Sequence, residues 1–120
     1  MAELKEYKHR GARALVLLHE SHMRKYLETW KAAKNSGVKL PQTDDPSYVS
    51  LETLLRHGLQ ASRGYMVWMC EKLELPDPQI GPTPEAEVIE SKADDYLEHL
   101  LEKWRKPLAD VEGERFRKPE

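Results

Sequence analysis

"LLRHGLQASRGYMVW", residues 54–68, decides the fold, because its apolar residues recur at three- and four-residue intervals and nothing in it alternates as a strand does. At 100° per residue the surrounding stretch, from about Leu51 to Leu73, gathers Leu51, Leu54, Leu55, Leu59, Tyr65, Met66, Met69 and Leu73 on one arc. Arg56, Arg63 and Glu71 point elsewhere, so the segment is an amphipathic helix. Ser50 stands before it with a hydroxyl for an orphan amide, and Glu52 sits in the positive first turn. His57 shares a face with Ala61, Gly64 and Trp68 at the flank of this arc.

Two further helices follow from the same rhythm. The first runs from about Leu4 to Lys34 and closes at "NSG", where Asn35 or Gly37 supplies a left-handed cap. Its expected buried stripe is Leu4, Gly11, Leu15, Leu18, His22, Tyr26, Thr29 and Ala33, with Arg13, Glu20, Arg24 and Lys31 opposite in solvent. After "ELPDPQIGP", whose Pro76, Pro78 and Pro82 break the chain, Thr83-Pro84-Glu85 reads as a start signal. The third helix then carries Ile89, Ala93, Tyr96, Leu97, Leu100, Leu101 and Trp104 to about Lys106. "LADVEGERFRKPE" is charged and aperiodic, so residues 1–106 are expected as the helical domain and 107–120 as an extended or disordered tail.

The fold class is therefore all-α, an up-and-down helical bundle. Helices of about 30 and 23 residues, near 45 and 35 Å long, suit a four-helix bundle better than a three-helix one. With three long helices present, the remaining apolar groove calls for a second copy, a partner or the tail, and a homodimer is the expectation.

Composition narrows the function classes. Nineteen Lys and Arg against 21 Asp and Glu leave a net charge of −2 with no basic block, which argues against nucleic acid as a partner. No apolar run approaches the roughly 20 residues of a membrane span, and "MAELKEYKHR" lacks the apolar centre of a signal peptide. The single cysteine, Cys70, excludes an internal disulfide and suits a reducing compartment, so a soluble cytoplasmic protein is expected. No Gly-rich phosphate loop, EF-hand or paired Cys-x-x-Cys is present.

The stretch "SLETLLRHGLQASRGYMVWMCEKLELPD", residues 50–77, resembles the second helix of the DinB/YfiT-like superfamily: a serine-led start, Leu-x-x-His, small residues, then aromatics and a loop. The long helices on either side agree with that family's order. The resemblance implies a four-helix scaffold with a long crossover and a divalent metal, nickel or zinc, held by one histidine of helix two and two histidines of a final helix. His57 matches the first position, and the final helix has no counterpart in the sequence. The implied function is a metal-dependent enzyme of the thiol-dependent transferase or hydrolase type, acting on an unknown small molecule. The alternative is a non-catalytic helical dimerisation or interaction module with an incomplete metal site.

His19 and His22 are secondary metal candidates, since two histidines three apart on a helix could join His57 to give the three nitrogens of an open zinc site. Their plainer reading is a core-facing, hydrogen-bonded His22 and a partly exposed His19. His9 and His99 fall among charged residues and read as solvated. Tyr65, Trp68, Tyr96 and Trp104 read as core, and Cys70 has no histidine partner in the pattern.

Overall fold

The computed structural model describes residues 7–116. It is all-helical among them: α1 spans Arg10–Ser36, α2 Leu51–Lys72 and α3 Ile89–Arg105, with short 3-10 turns at Pro46–Tyr48 and Gly113–Phe116. Leu4 lies outside the described residues, and helical backbone begins at Arg10. Gly37 provides the left-handed cap of α1 at φ 73°, donating its N–H to the last carbonyls. Ser50 caps α2 by accepting from the Thr53 amide, while Thr53 Oγ1 accepts from the Ser50 amide, and Glu52 occupies the first turn.

The Thr83-Pro84-Glu85 signal does not start α3. Thr83 is buried and its hydroxyl lies 3.4 Å from Tyr96 Oη. The Pro84 carbonyl accepts from Arg56, and a single turn over residues 86–88 precedes the first helical residue, Ile89. These groups, spent on tertiary contacts, are not free to cap.

The direction of the helices follows from their cross-contacts. Trp30, Tyr26 and His19 of α1 meet Leu51, Leu54 and Ser62 of α2, so the two are antiparallel. Lys31–Asp94, Arg24–Glu98 and Glu20–Arg105 make α1 antiparallel to α3 as well. Hence α2 and α3 are parallel, and the connector 73–88 returns along α2, tied to it by Arg63 donating to the Ile80 carbonyl and Arg56 to that of Pro84.

The core is a sheath around Leu55, Leu59 and Met66 of α2, closed by Val16, Leu27 and Trp30 of α1 and by Ile89, Leu97, Leu100 and Trp104 of α3. Aromatic donors fasten it: Tyr26 Oη, Trp30 Nε1 and Trp104 Nε1 donate to the backbone carbonyls of Leu54, Leu51 and Ser62 at 2.7, 2.5 and 3.1 Å. Each carbonyl has two lone pairs, so it can take this bond beside its helical one. Gly58 is what lets Tyr26 in, because a Cβ there would lie 2.5 Å from the ring.

Two expectations about packing need correction. The stretch after Pro107 is folded as far as Val111: Leu108, Ala109 and Val111 are buried, and the Ala109 carbonyl accepts from the Lys8 amide. It carries no periodicity because it runs through turns that place each apolar side chain singly. α1 is rotated about a third of a turn from the expected stripe. Its buried residues are Ala12, Val16, Glu20, Leu27 and Trp30, while Leu15 and Leu18 are exposed. The cause is the charged seam with α3, where Glu20 sits 9% exposed in a two-pronged bond to Arg105 at 2.5 and 2.9 Å.

Candidate functional site

His19 and His22 exchange the roles expected of them. His22 is exposed, whereas His19 is pressed flat on Trp104, ring centroids 3.5 Å apart and planes 5° from parallel. Its Nε2 meets Ser62 Oγ at 2.5 Å, and its Nδ1 is buried with no hydrogen-bond partner among the described residues. Burial pushes its pKa down to about 4; the charge of Glu20 opposes this shift and that of His22 adds to it. A neutral imidazole is what this slot holds, since a proton on both nitrogens would strand a buried donor.

The His19–Ser62 contact superficially resembles an activated hydroxyl. Ser62 is 4% exposed on the inner side of α2, and neither a 250 Å³ cleft beside Trp30 nor a 690 Å³ cleft between residues 75–79 and 110–115 includes it. The pair is a structural clamp joining all three helices.

His57 lies on the exposed surface of α2, its ring 5.6 Å from that of Tyr48 and tilted by 57°. Among the described residues no group of three or more His, Cys, Asp or Glu side chains is placed to hold a metal ion, so His19, His22 and His57 do not form a triad. His99, expected in solvent, is half-buried and its Nε2 accepts from the Gly81 amide at 2.9 Å, holding the connector to α3. Cys70 is buried, and burial raises its pKa, which makes it a poor nucleophile.

What the structure does bring together is an apolar face. Tyr65 and Trp68, expected in the core, are 66% and 54% exposed, and Leu15 and Leu18 are 42% and 56% exposed. On α1 these leucines lie beyond the flank that meets α2, and on α2 Tyr65 and Trp68 lie beyond the flank that meets α1. All four therefore border the outer groove of the α1–α2 pair, on the side away from α3. The same window holds Gly11, Ala14, Ser21 and His22 on α1 and Leu54, His57, Ala61 and Gly64 on α2. Its one Asp, Glu, Lys or Arg is Lys25, between Leu18 and Ser21 around α1, in a chain that is 33% charged. Tyr48 borders it at its Leu54 end. Sequence periodicity cannot find this face, because the same leucine rhythm serves a stripe turned inward or outward.

Comparison with family models, curated proteins and solved structures returns no match for this chain. Function is therefore argued from the residues.

Proposed function

We propose that this chain is a non-catalytic helical assembly module in which two copies pair through the outer groove of α1 and α2. The observation that carries the reading is the exposed, largely apolar face bearing Leu15, Leu18, Tyr65 and Trp68. Their uncovered area, about 400 Å² by ordinary side-chain sizes, is about half of what one partner brings to a standard interface. Aromatic enrichment and charge depletion are the marks of an interface centre. A second copy is the occupant because the one charge of each face, Lys25, sits on a stem long enough to carry it to the rim, and a two-fold axis across antiparallel helices completes the four-helix core that such lengths favour. Gly64, with nothing within 4 Å of where its Cβ would be, and Ala61 leave hollows for the partner's Tyr65 and Trp68.

Sedimentation velocity tests this directly. The wild-type chain should run as a dimer at about 20 μM, and Leu18→Glu or Trp68→Glu should run as a folded monomer, since each would bury an unpaired charge. A wild-type monomer at about 200 μM refutes the pairing.

The metal-dependent reading drawn from the DinB/YfiT-like resemblance keeps its own test, with His57 as the ligand at stake. Nickel or zinc near one equivalent in untagged protein, lost in His57→Ala, would favour it over the assembly module.

A further inference from the structure

We propose that the larger cleft, where α2 and α3 end, is a docking site for an extended peptide segment that carries lysine or arginine. It is a second surface, since none of its residues belongs to the outer groove of α1 and α2. Its volume of about 690 Å³ lies within the range of ligand clefts. Residues 75–79 form one wall and 110–115 the other, with Glu102, Lys103 and Lys106 of α3 between them.

Both walls are fixed before anything binds. Glu74 and Gln79 take left-handed φ values of 57° and 61°, which residues other than glycine rarely adopt. Each is held there: the Leu75 amide donates to the Cys70 carbonyl at 2.8 Å, and the Gln79 amide donates to Asp77 Oδ1 at 2.7 Å. Opposite, Leu108 and Val111 are buried, Lys8 holds the Ala109 carbonyl and Glu112, and Arg115 donates to the Leu73 carbonyl. A cleft built in this way spends little on ordering itself around a ligand.

Its chemistry selects the occupant. Five carboxylates, of Asp77, Glu102, Asp110, Glu112 and Glu114, line it against Lys103, Lys106 and Arg115. The parallel α2 and α3 bring the negative ends of their dipoles to the same place, which adds to the preference for a cation. Glu112 and Arg115 are engaged as above, whereas Glu102, Asp110, Glu114, Lys103 and Lys106 have no ion pair or side-chain hydrogen bond among the described residues. An anionic ligand would meet the carboxylates, and a bare polyamine would set like charge against the two lysines. A basic peptide suits both, with main-chain carbonyls accepting from Lys103 and Lys106 and a cationic side chain reaching the acids. Leu75, Pro76, Pro78 and Pro107 supply the apolar surface on which its stem lies.

The experiment is fluorescence anisotropy of a fluorescein-labelled hexapeptide, Ala-Leu-Arg-Pro-Lys-Ala, titrated with the whole chain at neutral pH and about 50 mM salt. Binding should saturate with a Kd of about 100 μM or tighter, and the counterpart Ala-Leu-Glu-Pro-Glu-Ala should bind at least about tenfold more weakly. Glu102→Gln/Asp110→Asn, at two exposed positions of the cleft, should weaken the basic peptide about fivefold or more, while Glu28→Gln/Glu87→Gln, with the same change of charge outside the cleft, should leave it within about twofold of wild type. No saturation by about 1 mM overturns the proposal, as does equal binding of the acidic peptide or an equal loss in the two double variants.

Discussion

Replacing His19 should remove a defined part of the protein's acid sensitivity. In the folded chain its pKa is about 4, against about 6.5 in an unfolded one. A base whose folded pKa is depressed contributes stability that is complete above about pH 6.5 and falls as pH drops towards 4, because the unfolded chain takes the proton first. The full shift corresponds to at most about 3.4 kcal/mol. The ring is partly exposed, and allowing for solvent screening leaves about 2 kcal/mol, or about 8 °C in Tm for a domain of this size. His19→Phe keeps a ring against Trp104 and lets the Ser62 hydroxyl turn to its own helix backbone, as mid-helix serines do. Urea unfolding followed at 222 nm from pH 7.5 to 4.0, at one protein concentration, should give a wild-type curve falling about 2 kcal/mol further than the variant's. Carboxylates titrate in both proteins and cancel in the difference. Parallel curves would show that His19 is not held neutral by its slot, and the account of the three-helix clamp would fail.

Other outcomes follow from single contacts. Gly58→Ala should destabilise by about 2 kcal/mol in thermal melts, since a Cβ would displace the Tyr26 ring and its bond to the Leu54 carbonyl, whereas Gly64→Ala, added to the monomeric Leu18→Glu variant so that no partner fills the hollow, should stabilise by up to about 1 kcal/mol. Arg105→Met should cost about 3 kcal/mol by leaving the buried Glu20 carboxylate unpaired, while Arg24→Met, whose partner Glu98 is exposed, should cost less than about 0.5 kcal/mol in the same urea assay. Leu108→Ala should cost about 3 kcal/mol, and a value near zero would return residues 107–111 to the status of a tail.

Local signals were legible where the backbone itself demands a residue type. Ser50 and Gly37 mark their helix ends because an orphan amide and a left-handed φ each admit few residues. Tyr96, Leu100 and Trp104 were legible because α3 is polar everywhere except on its core face. α1 was not: Glu20 faces inward, an acid made acceptable by Arg105 eighty-five residues away, and no local pattern records such a pair. Its leucines carry the core rhythm in the sequence while Leu15 and Leu18 face outward. Thr83 misled because a cap and a buried hydroxyl bonded to tyrosine look alike in sequence. The inversion of His19 and His22 follows from the rotation of α1, and Ser62 is an ordinary small residue until the α1–α2 register sets it against His19.

The aromatic anchors bear on how this chain can diverge. Tyr26, Trp30 and Trp104 grip α2 through main-chain carbonyls, which every amino acid supplies, so the identities at 51, 54 and 62 are free of those three bonds. Distant kin that share the architecture should keep the phenol and the two indoles while α2 drifts beneath them, making a sparse aromatic signature a better thread for tracing ancestry than overall similarity.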